Sequence, residues 1–552
     1  MKREGGDGKE DKVAVRGRIF VRNRKTLLEV VGMRGTLWMF GCLIMACGLT
    51  VAVLAADTIT VAYREDPGSL DPASSMPSSP TWFLYYQVYE RLVKANPNDP
   101  NTVQPVLATS WSVSEDGKEW IFNLRKGVTF HDGSPMTAED VKYSFDRLLA
   151  INLGPASWFA DIIQEVVVVD EHTVLFRLKR PYGMFLGLLS ALDGPYIVCE
   201  EAFKAHASPD DPWAREWAKE HMVGTGPYKL VEWVHGQYII LEKYDGYWRG
   251  WEGKHFDKIV FKVVREVSSR MMGIIAGTLD YVTDISFTDI PRLQADPNVE
   301  VHVTPTTQLW LVHMNNQRPP LTDRNLREVL SWAFPYKKAI EYIFQGYAKQ
   351  AQGTLARGIL YHNPNLPIYH EDLDRAKAIF EGAGYQPGEV TLDLYYVSGV
   401  DFERRLAEAF QSNLAQIGIN LELKAAPWPT LVALNEQPPE ERPYMSIRYN
   451  APDFNDPFSQ TLKPLYECGQ SWNWSAYCNS EYDELLAEAE STVDPDRLQE
   501  IAYKLQEKVV NDVVNIFVAE GSSVVATRKD IKGFYSIPFY PDIVYVYDLY
   551  RE

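Results

Sequence analysis

Residues 111–149 carry two turns and a helix start whose order admits few local folds. Trp111 and Val113 lead into Glu115-Asp116-Gly117-Lys118, and Trp120, Phe122 and Leu124 then alternate with Ile121, Asn123 and Arg125. An Asp-Gly pair between alternating runs predicts a hairpin, because glycine accepts the positive φ that such turns need. A second turn is expected at His131-Asp132-Gly133-Ser134. Thr137 then caps a predicted helix, with Asp140 three residues on in the place of a capping-box acid. Val141, Phe145, Leu148 and Leu149 give that helix one apolar face. His131 reads as a polar loop residue more readily than as a ligand or base.

The rest of the chain continues to mix strand and helix. Strands are predicted at 58–63, 166–169, 173–178, 257–264, 390–396 and 419–423, and from Leu309 onward. Helices are predicted at 81–92, 372–380, 402–417, 481–489 and 495–510, the last but two with Leu406, Phe410, Leu414 and Ile417 on one face. The segment 531–547 reads as aromatic-rich strands. Helix alternating with strand in the later part implies an α/β lobe. Gly224-Thr225-Gly226-Pro227 is not a phosphate loop, because Pro227 removes a backbone N–H and a strand pattern follows.

The chain has 552 residues, 46% hydrophobic and 23% charged, which predicts two or more domains. Residues 37–56 form an apolar run long enough to span a bilayer. Arg34 before it and the small residues ending at Ala55-Ala56, ahead of polar Asp57, favour a secretory signal over a membrane anchor. Met33 then reads as the initiator, with cleavage near Ala55 or Ala56. A lipid anchor at Cys47 is less favoured, because the apolar run continues past it. The net charge is −19, and the first 56 residues are net basic, so the remainder is more acidic still. Such a surface disfavours nucleic acid and anionic lipid.

Of five cysteines, Cys42 and Cys47 fall in the leader. Cys468 and Cys478, ten apart, read as a disulfide in an oxidising compartment, with a metal pair as the alternative. Cys199 is left as a buried thiol. HExxH, GxSxG and Walker A motifs are all missing, and the histidines are scattered without metal spacing. No catalytic set, metal site or cofactor is expected. A secreted hydrolase, the rival class, would need a nucleophile–base pair or a metal cluster.

The run W-x-V-S-E-D-G-K-x-W-x-F-x-L-R-K-G-V-x-F-H-D-G-x-P-x-T-A-E-D-V-x-x-S-F resembles the signature of family 5 solute-binding proteins, the dipeptide- and oligopeptide-binding subunits of ABC importers. Ser69-Leu70-Asp71-Pro72, the G-T-G-P-Y-K-L run from Gly224 and the stretch 309–334 resemble further parts of that family. Pro335-Tyr336 departs from it, standing where an Asp before a basic residue is usual.

The resemblance implies an α/β, two-lobed periplasmic-binding-protein fold (type II, large peptide-binder class) with an added subdomain in the first lobe. The implied division is 1–56 for the extension and signal, 57–303 with 518–552 for the first lobe, 102–218 for the subdomain, and 304–517 for the second lobe. It implies a periplasmic or otherwise extracytoplasmic, monomeric receptor that delivers peptide to an ABC permease. An oligosaccharide or a nickel complex is the alternative cargo.

The segment from Tyr449 to Phe458 resembles the peptide binders' A-D-Y-x-x-P, whose Asp accepts the ligand's α-ammonium. That role falls on Asp453, with Asn450 and Phe454 beside it. A cation withdrawn from water needs an anionic partner. As residues alone, an Asp after Pro452 equally suits a turn. Arg448 stands where an upstream arginine meets the ligand carboxylate, although its spacing is one residue short and strand alternation points it elsewhere. Trp310, Trp428, Trp472 and Trp474 fall where relatives line the cleft, suited to stacking on sugar rings or peptide side chains.

Overall fold

The computed structural model describes residues 57–73 and 79–552. The leader, with Met33, Cys42, Cys47 and the apolar run, lies outside the described residues.

The hairpin and helix of 111–149 form as their local chemistry dictates. Val113 pairs with Trp120 across the turn, where Gly117 has φ 69°. Trp120, Phe122 and Leu124 are buried, while Ile121 and Asn123 face out. Thr137 Oγ1 accepts from the Glu139 N–H, and Asp140 Oδ2 accepts from the Thr137 N–H at 2.9 Å, a reciprocal cap for the helix Ala138–Ile151. That helix packs on a four-stranded antiparallel sheet ordered Ala108–Val113, Glu119–Leu124, Thr173–Leu178, Ile163–Asp170. Phe122, Phe145, Phe176 and Phe185 fill the core between them.

The larger sheet has eleven strands among the described residues. Ten of them run in the order Asn420–Ala426, Thr391–Val397, Met445–Asn450, Val299–Met314, Asn515–Arg528, Tyr281–Val282, Thr58–Tyr63, Lys258–Val263, Tyr238–Lys243, Tyr228–Val234, and the eleventh, Lys349–Gln350, pairs off this path with Asn515–Arg528. The two longest strands, Val299–Met314 and Asn515–Arg528, run antiparallel through its middle. Residues 309–314 of the first pair with 445–450 on one flank. Ala526 and Thr527 of the second pair with Val282 and Tyr281 on the other. The register between the long strands slips between Pro305 and Leu309. Apolar residues cover both faces, as a largely buried mixed sheet requires. Trp310, Val312 and Met314 enter one core while Leu309 and Leu311 enter the core on the opposite face. At the other end Ile59, Val61 and Tyr63 face one core and Ala62 another.

Two expectations change, and one strand had none. The helix at 81–92 is Ser79–Val88, because the Gly226 N–H takes the Val88 carbonyl at 2.9 Å and the Ile197 N–H takes that of Glu90. The closeness explains Gly-Thr-Gly: a Cβ on Gly224 or Gly226 would stand 2.0 or 2.5 Å from a carbonyl oxygen of this turn. The segment 531–547 is not strand throughout. Only Ile531–Lys532 pairs, with Tyr550–Arg551, since Pro538 and Pro541 interrupt a ladder and the tyrosines pack inward instead. The central strand Asn515–Arg528 is not among the strands expected from sequence, and its interior carries Gly521-Ser522-Ser523.

Cys468 and Cys478 are joined by a disulfide, with Cα atoms 4.6 Å apart, and Cys199 is a buried free thiol. Burial pushes the Cys199 thiol up to about 11. Thiol labelling of the denatured, non-reduced chain lacking residues 1–56 is therefore expected to tag Cys199 alone. Tagging of all three cysteines would contradict the pairing.

Candidate functional site

The strand Met445–Asn450 alternates its side chains across the sheet, so Tyr449 and Arg448 face opposite ways. Tyr449 lies opposite Trp310 on the neighbouring strand, their rings 4.8 Å apart. Trp310 is itself buried edge-on to Phe402 at 4.4 Å, so the surface offered here is that of exposed Tyr449. Arg448, Arg64, Glu403 and Asp453 all act electrostatically on Tyr449. Glu403 is buried and accepts from the Val397 N–H at 2.7 Å, and burial pushes its carboxyl up to about 7.

Arg448 takes the other face. Its guanidinium lies 4.4 Å from the Trp472 ring and 4.8 Å from the Trp474 ring. Trp428 stacks on Trp472 at 6.4 Å and 13°. Trp428 and Trp472 are 41% and 40% exposed, so this aromatic pair is open at its outer end. Cation–π contact holds the guanidinium in place, yet its Nη1 is buried without a hydrogen-bond partner. Burial pulls Arg448 down to about 10, which leaves it charged at neutral pH.

The loop after this strand meets the hairpin subdomain. Phe454 is buried in that subdomain's core, T-shaped against Trp158 at 5.5 Å. Asn455 Nδ2 donates to Asn101 Oδ1 at 2.6 Å, and Asn455 Oδ1 accepts from the Leu360 N–H. Asp456 is fully buried and accepts from Tyr182 Oη, Ser459 Oγ and the Phe458 N–H. These bonds make Asp456 a structural anchor. Asn450 is buried too, and its Nδ2 donates to Thr461 Oγ1 at 3.1 Å.

Asp453 differs from its neighbours. Its N–H donates to Gln460 Oε1 at 3.1 Å, but among the described residues its carboxylate makes no ion pair. Burial pushes it from 3.8 to about 7. A second carboxylate, Asp193, feels its charge. Sequence reasoning missed Asp193, since Asp193-Gly194-Pro195 reads only as a turn. Thus Asp453 comes together with Asp193 and Tyr449, and Arg448 with Trp428, Trp472 and Trp474.

Among the described residues no cluster of three or more His, Cys, Asp or Glu is arranged to hold a metal ion. A cavity of about 300 Å³ opens beside Glu90, Arg91 and Lys94, off the large sheet, with Tyr247, Trp248 and Tyr545 on its wall. Its buried Glu90 is saturated by Thr225 Oγ1, Tyr247 Oη and Trp248 Nε1.

Residues 102–473 match the family described as bacterial extracellular solute-binding proteins, family 5. The chain belongs to this family. It is 31% identical to the protein named "Probable D,D-dipeptide-binding periplasmic protein DdpA" of Escherichia coli strain K12, over 89% of this chain and 94% of that protein. It is 27% identical to the dipeptide-binding protein of the same organism, over 81% of this chain and 86% of that protein. The crystal structure of the ABC transporter substrate-binding protein CtaP of Listeria monocytogenes superposes with TM-score 0.81 at 22% identity, covering 90% of this chain and 99% of that one. The fold is therefore the two-lobed α/β fold of family 5 periplasmic binding proteins.

Proposed function

We propose that the chain is the extracytoplasmic receptor of an ABC importer, which captures peptides between two closing lobes and delivers them to the membrane permease. The observation that carries this is Asp453, a half-buried carboxylate with no ion pair among the described residues, on a loop where two parts of the molecule meet. An anion withdrawn from water without a counter-ion suits a ligand that brings one, and a peptide's α-ammonium does. The names of the two Escherichia coli relatives point the same way.

The lobes would be 57–303 with 518–552 and 304–517, with 102–218 as the added subdomain. The register slip at 305–309 and Glu520-Gly521-Ser522 on the partner strand suit the crossings between them. Tyr449 and the open Trp428–Trp472 stack would receive peptide side chains, and Arg448, turned to the other face with its Nη1 buried, would meet a ligand carboxylate only if closure brought one to that face. Trp310, Asn450 and Phe454 would support this surface from beneath. The receptor would act as a monomer, bind no nucleic acid and leave its cargo chemically unchanged.

Mass spectrometry of what co-purifies with the exported protein tests the cargo. Small peptides with free amino termini are expected. Recovery of a neutral oligosaccharide instead would transfer the role of the open tryptophan stack to sugar rings and overturn the peptide assignment.

A further inference from the structure

Two acidic residues far apart in sequence, Asp193 and Asp453, lie on the two segments that pack together where the hairpin subdomain touches the loop after Met445–Asn450. The helix Phe185–Leu189 lies against that loop: a Cβ on Gly187 would stand 3.2 Å from the Asn455 carbonyl oxygen. Phe454 packs in one core with Leu188, Leu189 and Ala191. Asp193 and Asp453 therefore flank a single tight contact.

Asp193 has no solvent exposure. The Trp82 indole N–H donates to its Oδ1, while its Oδ2 is buried with no partner. The cation nearest by charge is Arg91, but Arg91 Nη1 donates to the carbonyls of Ser190 and Ala191. Tyr85 and Tyr196 also sense Asp193, and their hydroxyls donate to the Asp71 and Leu192 carbonyls. Burial first, and the charge of Asp453 second, push the Asp193 carboxyl well above the ordinary value. Two carboxylates that feel each other's charge, one fully buried and one half-buried, cannot both ionise cheaply, so ionisation of one raises the cost of ionising the other. A primary ammonium has one positive charge and three N–H donors, enough to meet the orphaned oxygen and the opposing carboxylate together.

We propose that Asp193 and Asp453, one from each side of the junction, together grip the ammonium group of a bound peptide, so that the ligand's cation ties the two sides closed. This rests on the peptide-receptor reading above. It adds a first-lobe residue to the site and predicts a requirement for a cationic amine. At neutral pH or below, the incoming ammonium displaces a carboxyl proton to solvent.

The test compares the full exported chain with Asp193→Asn and Asp453→Asn. Each is incubated with a casein digest of peptides below about 1 kDa, and retained peptides are quantified. Both substitutions are expected to lower retention about tenfold or more, as loss of one member of a desolvated charged cluster does. If Asp193→Asn retains peptides like wild type while Asp453→Asn does not, the two-carboxylate grip is wrong and Asp453 acts alone. If neither substitution matters, the peptide-receptor site itself is misplaced, and the grip falls with it.

A ligand-free measurement stands beside this. Folded carboxyls raised above 3.8 contribute stability in full below that value and lose it as pH rises toward about 7. Wild type should therefore lose more melting temperature than Asp193→Asn between about pH 5 and about pH 8. Parallel profiles would overturn the pairing.

Discussion

Arg147→Ala is expected to cost ~3–5 kcal/mol of folding stability, the loss typical when one partner of a buried ion pair is removed. Arg147 Nη1 and Nη2 donate to Asp71 Oδ1 and Oδ2 at 2.7 and 2.8 Å, and the two side chains are 1% and 0% exposed. Arg147 Nε also donates to the Trp213 carbonyl, and the guanidinium sits 4.7 Å from the Phe203 ring. Alanine would leave the Asp71 carboxylate buried without its counter-ion and open a void beside Phe203. Replacing both partners with neutral residues, as in Asp71→Asn with Arg147→Met, should cost less than Arg147→Ala alone, because no charge is then stranded. Urea unfolding of the three proteins measures this. A loss below about 1 kcal/mol for Arg147→Ala would place the pair with exposed salt bridges, whose worth is that small.

The second large effect falls on binding. Asp453→Asn keeps the shape of the side chain and removes the charge that would face an ammonium. Removing one partner of a buried charged pair costs ~2–5 kcal/mol, so peptide affinity should fall roughly thirty- to several-thousand-fold at about 1.4 kcal/mol per tenfold. Folding should not suffer, because neutralising a carboxyl already raised to about 7 relieves desolvation. The sign of the pH dependence follows. The carboxylate that attracts ammonium is depleted as pH falls below about 7, so affinity should weaken toward acid pH in wild type and less steeply in the variant, where Asp193 alone still titrates. An affinity within about twofold of wild type would reduce Asp453 to a turn residue, since about 1.4 kcal/mol corresponds to tenfold.

What the sequence revealed follows the distance over which each feature is specified. The hairpin and capped helix of 111–149 depend on neighbours within a few residues, so Asp116-Gly117 and Thr137–Asp140 announce them. Strand alternation likewise anticipated that Arg448 turns away from Tyr449. Features made by distant residues stayed hidden. The central strand Asn515–Arg528 exists because Val299–Met314 pairs along its length, which outweighs the interior glycine. Phe454 sits in the candidate segment by sequence, yet it is drawn into a core built from residues some 300 positions earlier. Asp193 has no local signal, because its environment is made by Trp82, Arg91 and Asp453. Asp71–Arg147 belongs to the same class: the family-like Ser69-Leu70-Asp71-Pro72 marks the acid, and only the fold supplies its arginine.

The same geometry explains why Trp474 differs from the other tryptophans near it. It is 1% exposed and forms the floor under Arg448, whereas Trp428 and Trp472 are open. Only the latter two can stack on a ligand. Their parallel arrangement would suit an aromatic or aliphatic peptide side chain, and also a sugar ring, so they do not choose the cargo. On the proposed reading Asp453 does, through the ligand's ammonium group.

Titration calorimetry of the exported chain with the casein digest, once with free and once with N-acetylated amino termini, therefore addresses the central claim most directly. Binding heat with the free digest and its near-complete loss on acetylation is the expected result. Equal heats from both digests, or heat only from a neutral oligosaccharide, would contradict capture of peptides through their ammonium group.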